Sequence, residues 1–222
     1  MASTSSSSSS SSSSIHESID PDLLKLLVTL INNHINSLIS NPQSRKIVST
    51  KCTTNLQIHK HNSSDFNEQS VLSNLYWGIQ NVEDAIELKC SKQIQTSEKM
   101  LQAPASLNEN AITGGLSNAY LVCCAYFYLC MVGKMQADVI QVAVYFLQAV
   151  VVSPEVVRTE LAPELYQSVV ELCIEPLRPG LGDGFDGVIL GAKSYKAWLM
   201  YHQVISYGRS PLLMKRNSHE PK

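Results

Sequence analysis

Ala119-Tyr-Leu-Val-Cys-Cys-Ala-Tyr-Phe-Tyr-Leu-Cys-Met-Val132 and Val139-Ile-Gln-Val-Ala-Val-Tyr-Phe-Leu-Gln-Ala-Val-Val-Val152 are strongly apolar, with the polar turn Gly133-Lys-Met-Gln136 between them. They form either a transmembrane hairpin or a pair of helices at the centre of a globular core. Each runs for about 14 residues, short of the ~20 that a bilayer span needs. Gln141 and Gln148 are seven apart and so share one face, which reads as the solvated one. The two stretches are therefore expected to be central helices, buried on most sides. A membrane-associated protein using 119–152 is the alternative.

Upstream, the spacing of apolar residues is helical. Asp20-Pro21 supplies a capping carboxylate and a proline for the first helical position. Leu23, Leu26, Leu27, Leu30, Ile31, Ile35 and Leu38 then recur at three and four to about Ser40, where Asn41-Pro42 stops the run. A weaker helix is expected over 43–58 with Ile47, Cys52 and Leu56 facing inward, and His59 to Ser64 as a polar loop. Leu72, Leu75, Ile79, Val82 and Ile86 alternate steps of three and four, the seam spacing of packed helices. Ser91 to Gln102 predicts a further helix closed by Pro104, and Gly114-Gly115 breaks the loop after it.

Downstream, Ser153-Pro154 and Ala162-Pro163-Glu164 repeat the cap-and-proline start. They predict a short helix near 155–159 and a longer one to about Cys173. Pro176 to Gly187 reads as an irregular connection before a last helix, about Val188 to Tyr207. No alternating strand is readable. The pattern predicts an all-α fold of seven to nine helices, an array of helical hairpins in the style of tetratricopeptide units. The expected organisation is a Ser-rich disordered tail over 1–19, a helical domain over 20–208 and a polar tail over 209–222. Ser5 to Ser14 is unbroken serine, with no apolar residue to offset ordering entropy.

Composition narrows the function. Of 222 residues, 44% are hydrophobic, and 17 basic against 19 acidic residues give a net charge of -2. No basic patch favours nucleic acid, which is not expected as a partner. The six cysteines, at 52, 90, 123, 124, 130 and 173, form no C-x-x-C pair. Cys123, Cys124 and Cys130 are expected to be buried small apolar residues, a usage that fits a reducing, cytoplasmic or nuclear setting. The serine-rich start resembles a plastid transit segment, yet early Glu17, Asp20 and Asp22 and a first arginine at Arg45 speak against one.

Candidate chemistry is thin. Gly182-Asp-Gly-Phe-Asp-Gly187 spells a dinucleotide loop, but no strand precedes it and Asp183 and Asp186 would repel phosphate. His59-Lys60-His61 with Cys52 lacks a fourth ligand at metal spacing. His34 and His202 have no identifiable catalytic partner. Glu83, Asp84, Glu87, Glu164 and Glu171 read as solvated helix faces. No catalytic residue, cofactor or metal is expected.

Several blocks occur in a telling order: Ser70-Val-Leu-Ser-Asn-Leu-Tyr-Trp-Gly-Ile-Gln-Asn-Val-Glu-Asp-Ala-Ile86, Ser97-Glu-Lys-Met-Leu-Gln102, Leu107-Asn108, Ser117-Asn-Ala-Tyr-Leu121, Ala162-Pro-Glu-Leu165 and Tyr195-Lys-Ala-Trp-Leu-Met-Tyr-His-Gln-Val204. From about residue 20 to 208 the chain resembles the N-terminal region of plant LIN/CERBERUS-type E3 ubiquitin ligases, which act in legume root-nodule symbiosis. The resemblance implies a helical protein-binding module. In that family a U-box recruits the ubiquitin-conjugating enzyme and WD repeats bind substrate. Neither is found here, so the expectation is a domain inactive in ubiquitin transfer by itself. Trp198, Tyr201 and Tyr207 on the last helix are the candidate partner-binding residues, because Trp and Tyr bury large areas with few rotatable bonds. Their spacing fits a core stripe as well.

Overall fold

The computed structural model describes residues 19–62, 70–88, 90–180 and 184–213, by backbone alone at 57–62, 91, 178–180 and 204–213. Helix α1 spans Pro21–Ser40, and the Asp20 carboxylate accepts from the Asp22 N–H at 2.9 Å. Its stripe Leu27, Ile31, Ile35 and Leu38 is buried. Ile19, just before the cap, is buried with them. The Asn41 side chain accepts from the Gln43 and Ser44 N–H groups at 3.1 and 3.2 Å and opens α2 (Pro42–Asn62). Helix α2 thus continues through His59, where a loop is expected, and it buries Cys52 and Leu56 but leaves Ile47, expected inward, exposed. No Gly or Pro interrupts the chain between Pro42 and Asn62, so polar side chains alone do not end it.

Helices α3 (Val71–Leu88) and α4 (Ser91–Ala105) pack closely. A Cβ on Gly78 of α3 would stand 2.9 Å from the Leu101 side chain of α4, which would have to shift to admit one. Pro104 lies inside the last turn of α4 rather than ending it at Gln102. Pro104 has no N–H to return to the Met100 carbonyl, and the end of the helix is closed instead by Ser106 and Leu107, whose N–H groups donate to the Ala103 and Pro104 carbonyls at 3.2 and 3.3 Å.

A two-residue antiparallel ladder follows, where no strand was readable. Strands β1 (Ile112–Thr113) and β2 (Leu116–Ser117) pair Ile112 with Ser117 and Thr113 with Leu116. Gly114 and Gly115 turn the corner at φ values of 57° and 82°, the left-handed values a two-residue hairpin favours. Two residues per strand are too few to show alternation.

Helices α5 (Asn118–Met135) and α6 (Val139–Val152) are the two apolar stretches. At 18 residues, α5 has the length and composition to cross a bilayer, so length does not exclude a span. Its surroundings are protein: 13 of its 18 residues are buried, with α1, α3, α4 and α6 around it. Gly133 lies within α5, and the turn falls at 136–138 rather than 133–136. There Ala137 takes φ 61°, while the Ala137 and Asp138 N–H groups bond the Lys134 and Gly133 carbonyls at 3.1 and 3.0 Å. That bond pair closes a helix through one left-handed residue. Asp138 then caps α6 by accepting from the Gln141 N–H at 2.9 Å.

Helix α7 (Pro154–Val156) runs into a π-helical turn, Val157–Leu161. Helix α8 (Pro163–Val169) leads to a second π turn, Val170–Ile174, and a 3₁₀ turn, Glu175–Gly180. Helix α9 spans Gly184–Leu213, starting before Val188 and passing Tyr207. The stretch 176–187 is therefore helical wherever it is described, since prolines fit a 3₁₀ turn and Gly184 enters α9 at φ 68°. Among the described residues the fold is nine α-helices packed in adjacent pairs around one apolar cluster. Cys52, Cys123, Cys124, Cys130 and Cys173 are buried free thiols within it.

Candidate functional site

Helix α9 carries the three aromatic candidates. Val188, Ala192, Tyr195 and Leu199, at steps of four and three, are buried and face α6. The Tyr195 hydroxyl donates to the Cys173 carbonyl at 2.9 Å, and Lys196 donates to Gln148. Gln141 and Gln148 are accordingly half-buried, and α9 covers part of the face read as solvated.

Trp198 is half-buried and packs on the core, with its ring stacked on His202 at 3.7 Å between centroids. Tyr201 is 63% exposed and meets the same imidazole edge-on at 5.9 Å. His202, which the sequence left without a partner, joins the two aromatics. The side chain of Tyr207 lies outside the described residues. Met200, 47% exposed, and Leu190 add apolar surface that the sequence reading missed. No spacing rule singles out such residues on a helix that is apolar on several sides. Trp77 of α3 is also exposed and lies edge-on to Tyr76 at 5.1 Å.

The other polar side chains build structure. Arg45 is buried and donates to the Glu83 carboxylate at 2.6 Å and to the Ile39 carbonyl at 2.7 Å. The buried Tyr128 hydroxyl of α5 donates to the same carboxylate at 3.2 Å, and burial holds its phenol protonated well beyond the ordinary range. Glu83 is therefore not on a solvated face. It pins the start of α2 to α3 and α5. Asn32 of α1, also buried, donates to the Val139 carbonyl at 2.8 Å and ties α1 to the start of α6.

Groups capable of nucleophilic or acid–base work are poorly placed for it. Burial raises the thiols of Cys123 and Cys130, and pushes Cys173 up to about 11, so thiolate is scarce. A hydrogen bond with Cys124 raises Cys52, followed by burial. Cys52 is thus buried in the core, and the side chains of His59 and His61 lie outside the described residues. His34 has its pKa lowered by burial, against a smaller opposing effect of Glu164. Among the described residues no three His, Cys, Asp or Glu side chains gather as metal ligands.

Comparison with known proteins places this arrangement. Residues 23–172 match the family model "E3 ubiquitin-protein ligase LIN-like, ARM repeat", so the helical array is of the ARM type. Helix α9 lies beyond the matched segment. The chain is 30% identical over 158 residues to "Putative E3 ubiquitin-protein ligase LIN" of Medicago truncatula. It has the same identity to LIN-1 and LIN-2 of Lotus japonicus. Each match covers 67% of this chain and 11% of the relative, so the chain spans about a tenth of their length. No solved structure matches. The family match covers most of the described helices, and the chain belongs to the LIN-like E3 ubiquitin-protein ligase family through its ARM-repeat region.

Proposed function

We propose that this chain is a protein-interaction module of a LIN-type ligase, without ubiquitin-transfer chemistry of its own, and that the aromatic end of α9 receives a partner. ARM repeats typically mediate protein binding, which supports the general reading. The observation that carries the specific one is Tyr201, 63% exposed, standing with Met200 beside the half-buried Trp198. Such a cluster offers a packed aromatic base and an exposed apolar tip, the makeup of an interface anchor. Tyr207, on the same helix, is kept as a candidate by residue type alone. The module works in the cytoplasm or nucleus of a plant cell, and root-nodule symbiosis is a process it would serve.

Two experiments test it. A reaction of the full chain with conjugating enzyme, ATP and ubiquitin should form no ubiquitin chains, and robust formation overturns the non-catalytic reading. Pull-down from plant extract with wild type, Tyr201→Ala and Trp198→Ala tests the surface. Tyr201→Ala should keep the melting temperature and lose partners. Unchanged capture by both folded variants removes α9 from the proposal.

A further inference from the structure

A groove of about 350 Å³ opens between α1, α2 and the junction of the first π turn with α8. Its floor is aliphatic, built from the buried Leu38, Val48 and Leu161. Ile47 stands on its rim 53% exposed, although burying an aliphatic side chain is favourable and α2 has a core to offer. Both the size and the apolar floor are those of a small recognition pocket.

The charges on its walls are unequal. Lys51 is engaged within the fold: its ammonium donates to the Glu160 carbonyl at 3.0 Å and lies 3.9 Å from the Glu160 carboxylate. Glu164 has no such ion pair among the described residues. The group it influences is His34, across the groove on α1, which burial keeps neutral at pH 7. The groove therefore offers an aliphatic floor beside one uncompensated carboxylate. Phosphate-bearing ligands and acidic segments are repelled by that carboxylate, and the volume suits one or two side chains.

We propose that this groove seats a short segment of a partner protein, placing an aliphatic side chain on Leu38, Val48 and Leu161 and an adjacent Lys or Arg against Glu164. The idea rests on the interaction reading above but uses a surface separate from the α9 aromatics. Charge complementarity selects the occupant, since a cation next to an aliphatic anchor meets both features at once.

The test is an amide NMR titration of the full chain with two capped hexapeptides, Gly-Ser-Leu-Arg-Ser-Gly and the same peptide with Glu for Arg. The Arg peptide should shift amides of 34–51 and 160–165 at concentrations on the order of millimolar. The Glu peptide should bind at least about threefold more weakly, the scale of one exposed ionic contact. Glu164→Lys should weaken the Arg peptide by at least as much with an unchanged melting temperature, and Glu164→Gln serves if that reversal unfolds the chain. Tyr201→Ala should leave the titration as in wild type. No shifts at that concentration, equal shifts from both peptides, or shifts confined to α9 overturn the proposal. The pull-down on α9 stands or falls independently of these results.

Discussion

Helices α5 and α9 are both rich in apolar residues, but they meet different numbers of neighbours. In α5 the buried positions run consecutively, Leu121 to Ala125 and Phe127 to Gly133, because α1, α3, α4 and α6 enclose it. In α9 the buried side chains keep to Val188, Ala192, Tyr195 and Leu199, with Gly187 and Gly191 buried beside them, because α6 is its main support. A continuous apolar run therefore marks a helix with partners on several sides. A run with exposed Leu190, Met200 and Tyr201 marks one with a side left over. Apolar content by itself does not separate the two.

Polar anchoring should show the largest difference. Arg45→Ala leaves the Glu83 carboxylate and the α5 Tyr128 hydroxyl in a mostly buried site without a cation. A loss of about 3 kcal/mol is expected in urea denaturation. Lys196→Ala, which removes the α9 bond to Gln148, should cost no more than about 1 kcal/mol, since Lys196 is only half-buried. Equal losses would break the contrast between the helices.

Enlarging small residues comes next. Ala125→Leu in α5 and Ala143→Leu in α6 put extra methyl groups where both alanines are fully buried, and should destabilise by about 1–3 kcal/mol. Ala197→Leu on the exposed side of α9 should stay within about 0.5 kcal/mol. Thermal melts of the three variants sharpen the comparison directly. The smallest effect is a gain: Ala137→Gly at the end of α5 relieves a left-handed alanine and should stabilise by about 0.5 kcal/mol. A loss there would mean that the turn depends on the Ala137 side chain.

Most of the helical order was legible in the sequence because it rests on periodicity. The stripes of α1 and α3 and the continuous apolarity of α5 and α6 need no knowledge of distant residues. What escaped depends on partners far along the chain. Glu83 reads as solvated until Arg45, 38 positions earlier, is seen against it. The wet face of α6 is partly covered once Lys196 of α9 reaches Gln148. Helix ends were misplaced at 59, 102 and 188, where polar side chains, Pro104 and the Pro/Gly stretch mimic breaks that the backbone does not make. At the candidate surface, Trp198, Tyr201 and Tyr207 are singled out by residue type alone. Their distribution between core and solvent was not readable, because 198 and 201 straddle the edge of the buried stripe.

The position of α1 sets how the molecule comes apart. In a repeat array each unit touches only its neighbours, stability is close to a sum of local terms, and ends fray before the middle. Helix α1 breaks that one-dimensional rule: it packs on α2 and also on α5, α6 and α8, with Asn32 bonded to the first residue of α6. Losing the first helix of the chain strips the cover from its middle, so early and late segments share one fate. The consequence is cooperativity: a single unfolding transition, coincident by fluorescence and circular dichroism, where a linear array would melt in stages.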